Sequence, residues 1–231
     1  MYELFINLKH LNTLQLSFYL SGVQIMKIGI IGAGVVGRAI GKLAVRAGHE
    51  VMLSNSRGPK TLYSLPHATG CRIGTVEEAV AFGDIVVAAV PLSAYRALPA
   101  AQLAGKVVVD TNNYYPERDG QIAELDEHST TTSEMVAAHL AASRVVKAFN
   151  AVIMNDLETD GRPVGDATRR ALPIAGDDAE GKAIVTQLLD EFGFDTFDAG
   201  ALAEGRRFER GTPAYCVPLG REALVRALAA A

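Results

Sequence analysis

Only two cysteines occur in 231 residues, Cys71 and Cys216, far apart and without C-x-x-C spacing. They can build neither a disulfide framework nor a thiolate zinc site, and a reducing, cytoplasmic setting is expected. Positive charge is scarce too: 22 lysines and arginines stand against 26 acidic residues, a formal net charge of −4. That balance lacks the broad basic footprint nucleic acid needs, so any anion must be met locally. No run approaches the roughly 18 to 20 apolar residues that cross a bilayer. Neither a nucleic-acid nor a membrane partner is therefore expected. The histidines, His10, His49, His67, His128 and His139, form no H-E-x-x-H or triad pattern, so no metal site and no nucleophilic hydrolase is indicated.

What is present reads as a soluble globular chain, 49% hydrophobic and 21% charged, with 22 glycines for tight turns. Residues 1–25 differ from the rest, with large apolar side chains but neither the basic start nor the sustained apolar stretch of a signal peptide. Met26 directly precedes the strand-like KIGIIGAG, so residues 1–25 are expected to be an extension upstream of the natural start. The alternative is a short element docking on the domain or on a neighbouring subunit.

From Lys27 onward, short apolar runs alternate with helical stretches. KIGIIG (27–32) is a buried strand, and VVGRAIGKLAVRAG (35–48) puts Val35, Val36, Ala39, Ile40, Leu43, Ala44 and Ala47 on one helical stripe that ends at Gly48. EVMLS (50–54) is a second strand. Thr75 and Glu78 have capping-box spacing, which makes them a helix start rather than a catalytic pair. DIVVAAVP (84–91), GKVVVDTNN (105–113) and RVVKAFN (144–150) are further strands, with a helix over 133–142 before the last. After a looser stretch come strand 171–176, helix 178–193, strand 194–200 and a terminal helix. Strands separated by helices imply a Rossmann-type α/β fold, a doubly wound and mainly parallel sheet with right-handed crossovers. About 80 residues follow Asn150, too few for a large helical substrate domain. A single domain over 26–231 is expected, its C-terminal strand-helix-strand lobe starting near residue 151.

Gly32, Gly34 and Gly37 form G-x-G-x-x-G between the first strand and the first helix. The first glycine suits a sharp turn, the second lets backbone approach a pyrophosphate, and the third lets helix and strand pack closely. A diphosphate would then lie at the helix N-terminus, where free N–H groups and the dipole favour an anion. Where many nucleotide-binding proteins carry a carboxylate after the second strand, this chain reads LSNSRG (53–58). A carboxylate there would repel a 2′-phosphate. Ser54 stands in its place, Asn55, Ser56 and Arg57 offer hydrogen-bond donors, and Lys60 adds a point charge, so NADP(H) is favoured over NAD(H). The plainer reading is a polar loop with a solvated arginine.

Other strand ends share this edge. Ala89, Val90 and Pro91 are expected to pass beside the cofactor, although the proline equally serves as a strand terminator. Asn113 suits a ribose hydroxyl or the nicotinamide amide, or hydrogen bonds within its own loop. Ala148 is small enough for a ring to stack on, and Asn150 could pair with a cofactor or substrate carbonyl.

MKIGIIGAGVVGRAIGKLAVRAGHEVMLSNSRGP, DIVVAAVPLSAY, GKVVVDTNN and VVKAFN together resemble the NADP oxidoreductase, coenzyme F420-dependent family, which includes the cytosolic domain of six-transmembrane metalloreductases. The resemblance spans roughly residues 26–152. It implies hydride transfer between a nicotinamide and a stacked deazaflavin (coenzyme F420) or flavin, a small-molecule redox substrate. It further implies that Ala33, Gly34, Val35 and Val36 hold the diphosphate, Ser56 and Arg57 the 2′-phosphate, and Val90 and Pro91 the nicotinamide-side ribose, with Ala148 lining the ring. No catalytic side chain is required, because ring-to-ring hydride transfer depends on proximity and orientation. Together with the apolar N-terminus, the resemblance implies a homodimer. The acceptor side is where the chain departs from the pattern: F420 has a polyanionic tail, and the one suggestive cluster, RRFER, with Arg206, Arg207 and Arg210 around Phe208, is either its binding cluster or a solvated face.

Two other readings compete. A carbonyl or imine reductase would need a proton donor, for which Lys147, Tyr114 and Tyr115 are the candidates. A non-enzymatic NADP(H) redox sensor would need the glycine turn but no second pocket; a closed surface beside the nicotinamide would favour it.

Overall fold

The computed structural model describes residues 25–231. Of the extension expected over 1–25, all but Ile25 lies outside them. The described elements run β1 (Lys27–Ile31), α1 (Val35–Arg46), β2 (Glu50–Ser54), α2 (Leu65–Thr69), β3 (Arg72–Gly74), α3 (Val76–Phe82), β4 (Ile85–Ala88), α4 (Ala100–Leu103) and β5 (Val107–Asp110). They continue with α5 (Pro116–Asp119), α6 (Ala123–Asp126), α7 (Thr132–His139), β6 (Arg144–Lys147), α8 (Met154–Thr159), β7 (Ala171–Gly176), α9 (Ala179–Glu191), β8 (Asp195–Asp198) and α10 (Arg221–Ala229). Single 3-10 segments cover Pro59–Leu62, Leu92–Ala97 and Leu202–Phe208.

One eight-stranded sheet has the order β3-β2-β1-β4-β5-β6-β7-β8. Every neighbouring pair is parallel except β6 with β7, where Val146 faces Gly176 and Lys147 faces Ala175. The reversal at β7 brings the start of that strand to the edge where β1 to β6 end. The doubly wound, mainly parallel sheet is the architecture the alternating pattern implied. β3, three residues at the edge, escaped the sequence reading because it is too short to show a periodicity.

Central strands are continuous Val/Ile runs because both faces are covered. Ile28, Ile30, Val87, Val107 and Val109 pack toward one face with Ile40 and Leu43 of α1 and Leu188 and Leu189 of α9. Ile31, Val86 and Val108 pack toward the other with Val80 of α3 and Val136 of α7. A third cluster, around Phe208, Leu224 and Leu228, seats the C-terminal segment on β7. Thr75 and Glu78 form the reciprocal cap expected for α3, and Thr131 and Glu134 form another at α7.

Two expectations change. Val35 is 59% exposed rather than on the buried stripe, because it opens α1 at the sheet's carboxyl edge, beyond the reach of the core. Three strands stop earlier than the apolar runs do, at Ala88, Asp110 and Lys147. Beyond Lys147 the backbone turns through Phe149, at φ 62°, whose ring is drawn into the core beside Phe192.

Helix α1 sits close to the turn that precedes it: a Cβ on Gly37 would stand 1.9 Å from the Gly32 carbonyl oxygen. Gly37→Ala is expected to cost about 1 to 3 kcal/mol through overpacking. Chemical denaturation with an unchanged midpoint would contradict this packing.

Candidate dinucleotide groove

β1 ends at Ile31, and Gly32 turns the chain with φ 111°, its N–H donating to the Ser54 carbonyl at 2.9 Å. That φ is open to glycine, and a Cβ there would meet the Ala89 carbonyl at 2.1 Å. Gly34 is the N-cap of α1, with no side-chain cap and no acidic residue in the first turn. The first N–H groups of a helix have no intrahelical partner, so this end presents free donors and a positive dipole end. A Cβ on Gly34 would have nothing within 4 Å, so space above it is open.

A groove passes over this turn in two halves that share Gly34, Ala89, Val90 and Pro91. One half, about 340 Å³, is bounded by the polar loop Asn55, Ser56 and Arg57 and by Val76, Ala94, Ala97 and Leu98. The other, about 260 Å³, is bounded by Val35, Val36, Thr111, Asn112, Asn113, Tyr115 and Arg118. The geometry fits an extended dinucleotide with its diphosphate at α1: polar and basic groups flank one end, and amides and a phenol the other.

In the polar loop the side chains divide by role. Asn55 Oδ1 accepts from the Arg57 N–H (3.1 Å) and its Nδ2 donates to Thr61 Oγ1 (2.9 Å), so it shapes the loop. Ser56 and Arg57 are exposed and their side chains have no partner among the described residues. Ser54, expected to face the ligand, is instead fully buried and donates to the Ile30 carbonyl at 2.8 Å. An inward hydroxyl satisfies a backbone acceptor that a ligand-facing one would leave alone. Lys60 is exposed in the 3-10 turn and does not border the groove.

At the other half, Asn113 and Asn150 clasp each other: Asn113 Nδ2 donates to the Asn150 carbonyl (2.9 Å) and Asn150 Nδ2 to Asn113 Oδ1 (3.1 Å). Asn150 Nδ2 also reaches the Phe208 carbonyl at 3.0 Å. Asn113 thus borders the groove, while Asn150 is buried behind it. Ala148, expected to line the ring, is fully buried in the core, because β6 ends one residue earlier and the chain turns under the edge. Asn112 was missed. Its Nδ2 and N–H donate to Asp110 Oδ1 at 2.6 and 3.1 Å, and its Oδ1 is buried without a partner. An unsatisfied buried acceptor costs about 1 to 3 kcal/mol. Nothing in the DTNN stretch distinguishes this asparagine from its neighbour without the side-chain geometry.

The three proton-donor candidates separate. Lys147 is fully buried, its Nζ donating to Glu209 Oε1 (2.8 Å), Thr132 Oγ1 (2.7 Å), Ser133 Oγ (3.1 Å) and the Asn112 carbonyl (3.2 Å). Burial works against the Glu209 carboxylate, but the Lys147 charge and the hydrogen bonds from Lys147 and Thr132 outweigh it and hold that carboxyl below its usual range. Tyr114 is engaged by Gly120, Ile122 and Asp126. Tyr115 borders the groove, with its hydroxyl 2.6 Å from that of Tyr215. The arginines of RRFER divide: Phe208 is core, Arg207 bonds Glu204 and the Leu228 carbonyl, and Arg206 and Arg210 border one small cavity away from the groove, Arg210 pairing with Glu117 at 2.9 Å. Among the described residues no acidic, cysteine and histidine cluster suits a metal, and no helix is long and apolar enough to cross a membrane.

Because Gly34 has φ −75° and open space beyond its Cα, Gly34→Val should cost no more than about 1 kcal/mol of stability, through its poorer N-cap. Its dinucleotide affinity should fall about tenfold or more. Calorimetric titration with NADPH beside a melting curve checks both, and retained affinity would remove Gly34 from the binding surface.

Comparison with known proteins agrees with this geometry. The family profile for NADP oxidoreductase, coenzyme F420-dependent, matches residues 27–114. The rat metalloreductase STEAP3 (Rattus norvegicus) is 33% identical over 198 residues, covering 83% of this chain and 38% of that protein; the chain thus spans well under half of that relative's length. Among solved structures, a hypothetical protein from Sinorhizobium meliloti, SMa0349, superposes with a TM-score of 0.74 at 26% identity, covering 89% of this chain and 99% of that one. A candidate F420-dependent NADP-reductase from Arthrobacter sp. FB24 does so with a TM-score of 0.67 at 27% identity, covering 78% and 87%. The glycine turn, the groove across it and these matches converge on one stretch: through residues 27–114 the chain matches the profile of the NADP oxidoreductase, coenzyme F420-dependent family.

Proposed function

We propose that the chain binds NADP(H) across the Gly32–Gly37 turn and passes hydride between it and a flat deazaflavin or flavin ring, coenzyme F420 or a flavin nucleotide. The observation that carries the reading is the end of β2. No carboxylate stands there, Ser54 is turned into the sheet, and Ser56 and Arg57 border the groove with unpartnered side chains. A guanidinium and a hydroxyl so placed suit a phosphate monoester better than a bare ribose diol, because the bonds to phosphate are charge-assisted. Bound NADPH would supply a hydride at its nicotinamide ring.

The residues would then hold and orient. The free N–H groups of α1 would take the diphosphate. Asn112 Oδ1 would accept from a donor at the nicotinamide end, and Tyr115 would wall that end. Arg118 pairs with Asp119 at 2.8 Å and Arg210 with Glu117, so this rim offers contact area and hydrogen bonds more than net positive charge. The names of two similar proteins, a metalloreductase and a candidate NADP-reductase, support reductase chemistry. The free thiols of Cys71 and Cys216 fit a reducing, cytoplasmic compartment.

A second reading rests on Tyr115, the one phenol bordering the groove among the described residues, as proton donor to a small carbonyl or imine. NADPH absorbance followed with coenzyme F420, FMN, FAD and small carbonyl compounds separates the two. Oxidation with a ring acceptor supports the first reading, and turnover with carbonyls alone replaces it by the second. Arg57→Ala should weaken NADPH binding by about 1 to 3 kcal/mol and leave NADH binding nearly unchanged. Equal losses for the two would take the 2′-phosphate away from Arg57.

A further inference from the structure

Lys147 and Glu209 take no part in that reading, yet the lysine is fully buried and the glutamate largely so. Stripping two ions of water costs several kcal/mol each, and such a pair is often replaceable by apolar residues without loss of stability. What it fixes is therefore more telling than what it stabilises. Lys147 lies at the end of β6, and its ammonium bonds the carbonyl of Asn112, a residue that borders the groove. The same ammonium bonds Ser133 Oγ, which donates to Asp110 Oδ2 at 2.5 Å, and Asp110 Oδ1 in turn holds the Asn112 N–H and Nδ2. Lys147, Ser133, Asp110 and Asn112 thus close a ring of hydrogen bonds that holds both peptide units of Asn112, all four residues with 2% exposure or less. That ring leaves Asn112 Oδ1 as its free acceptor.

The C-terminal segment completes the ring. Glu209 supplies the counter-charge and accepts from Thr132 Oγ1 at 2.6 Å. Gly205 makes room for the lysine stem, since a Cβ there would stand 2.6 Å from Lys147 Cδ. Beside it, Asn150 ties the Phe208 carbonyl to Asn113. The 205–209 segment therefore grips both asparagines of the groove wall from behind.

We propose that Lys147 and Glu209 are positioning residues: the buried pair sets the Asn112–Asn113 wall, so that a C-terminal segment outside the groove governs affinity for the nicotinamide half of the cofactor and not for the adenosine half. The inference rests on the reading that this half-groove takes the nicotinamide end. The probes are 2′,5′-ADP, which has the 2′-phosphate but no nicotinamide, and NADPH, each titrated calorimetrically into the wild-type chain, Glu209→Gln and Gly205→Ala. In both variants 2′,5′-ADP affinity should stay within about twofold while NADPH affinity falls about tenfold; bound 2′,5′-ADP also reports that the variants are folded. NADPH affinity unchanged in both variants, or equal losses for the two ligands, would overturn the inference. Failure of the wild-type chain to bind either ligand would instead overturn the proposed function, and the inference with it.

Discussion

The start of α1 is the constraint around which the rest is arranged. Its leading N–H groups have no intrahelical partners, no side chain caps them and no carboxylate sits in the first turn, so they require an acceptor from outside the helix. Aiming them at one place requires a tight turn out of β1, which Gly32 provides, and a helix close against that turn, which Gly37 allows. The sheet order does the rest. With β1 between β2 and β4, the loops after both strands flank the turn, one polar and one apolar.

The other end of the groove is built on a different principle. Beyond the start of α1, which borders both halves, it has a peptide segment locked by buried polar groups. Asp110, Ser133 and Lys147 come from the ends of two strands and the beginning of a helix, and they leave almost no unmet donor among themselves. Low dielectric makes such an arrangement stiff when complete and costly when incomplete. Under the proposed function such stiffness would hold a ring at a fixed distance and angle, on both of which hydride transfer depends.

Much of the first end was legible in the sequence and little of the second. Gly32, Gly34 and Gly37 announce themselves because each spacing has a steric reason, and Arg57 stands out because a carboxylate is missing nearby. Periodicity located the long helices and the central strands. It overran the strand ends, because Val, Ala and Phe are equally apolar in a strand and in the turn beneath it; Ala148 was misplaced for that reason. Ser54 was misread since period-2 alternation cannot tell which strand-end hydroxyl finds a backbone carbonyl to bond. Asn112 and Asn113 are indistinguishable as letters, and only their hydrogen bonds assign one to a free acceptor and the other to a clasp. Lys147 was recognised as ambiguous, and the partners that resolve it lie 15 and 62 residues away.

The reversal of β7 divides the molecule's labour along the chain. Every residue bordering the groove belongs to the first 118 positions, yet Tyr115 leans on Tyr215 and the asparagine wall leans on Phe208 and Glu209. The lining of the groove is thus encoded early, and the support of its Thr111–Tyr115 wall is encoded late, by a stretch that never borders it. Sequence drift confined to the last third could therefore reshape that wall while the glycine turn and the polar loop beside it stay intact.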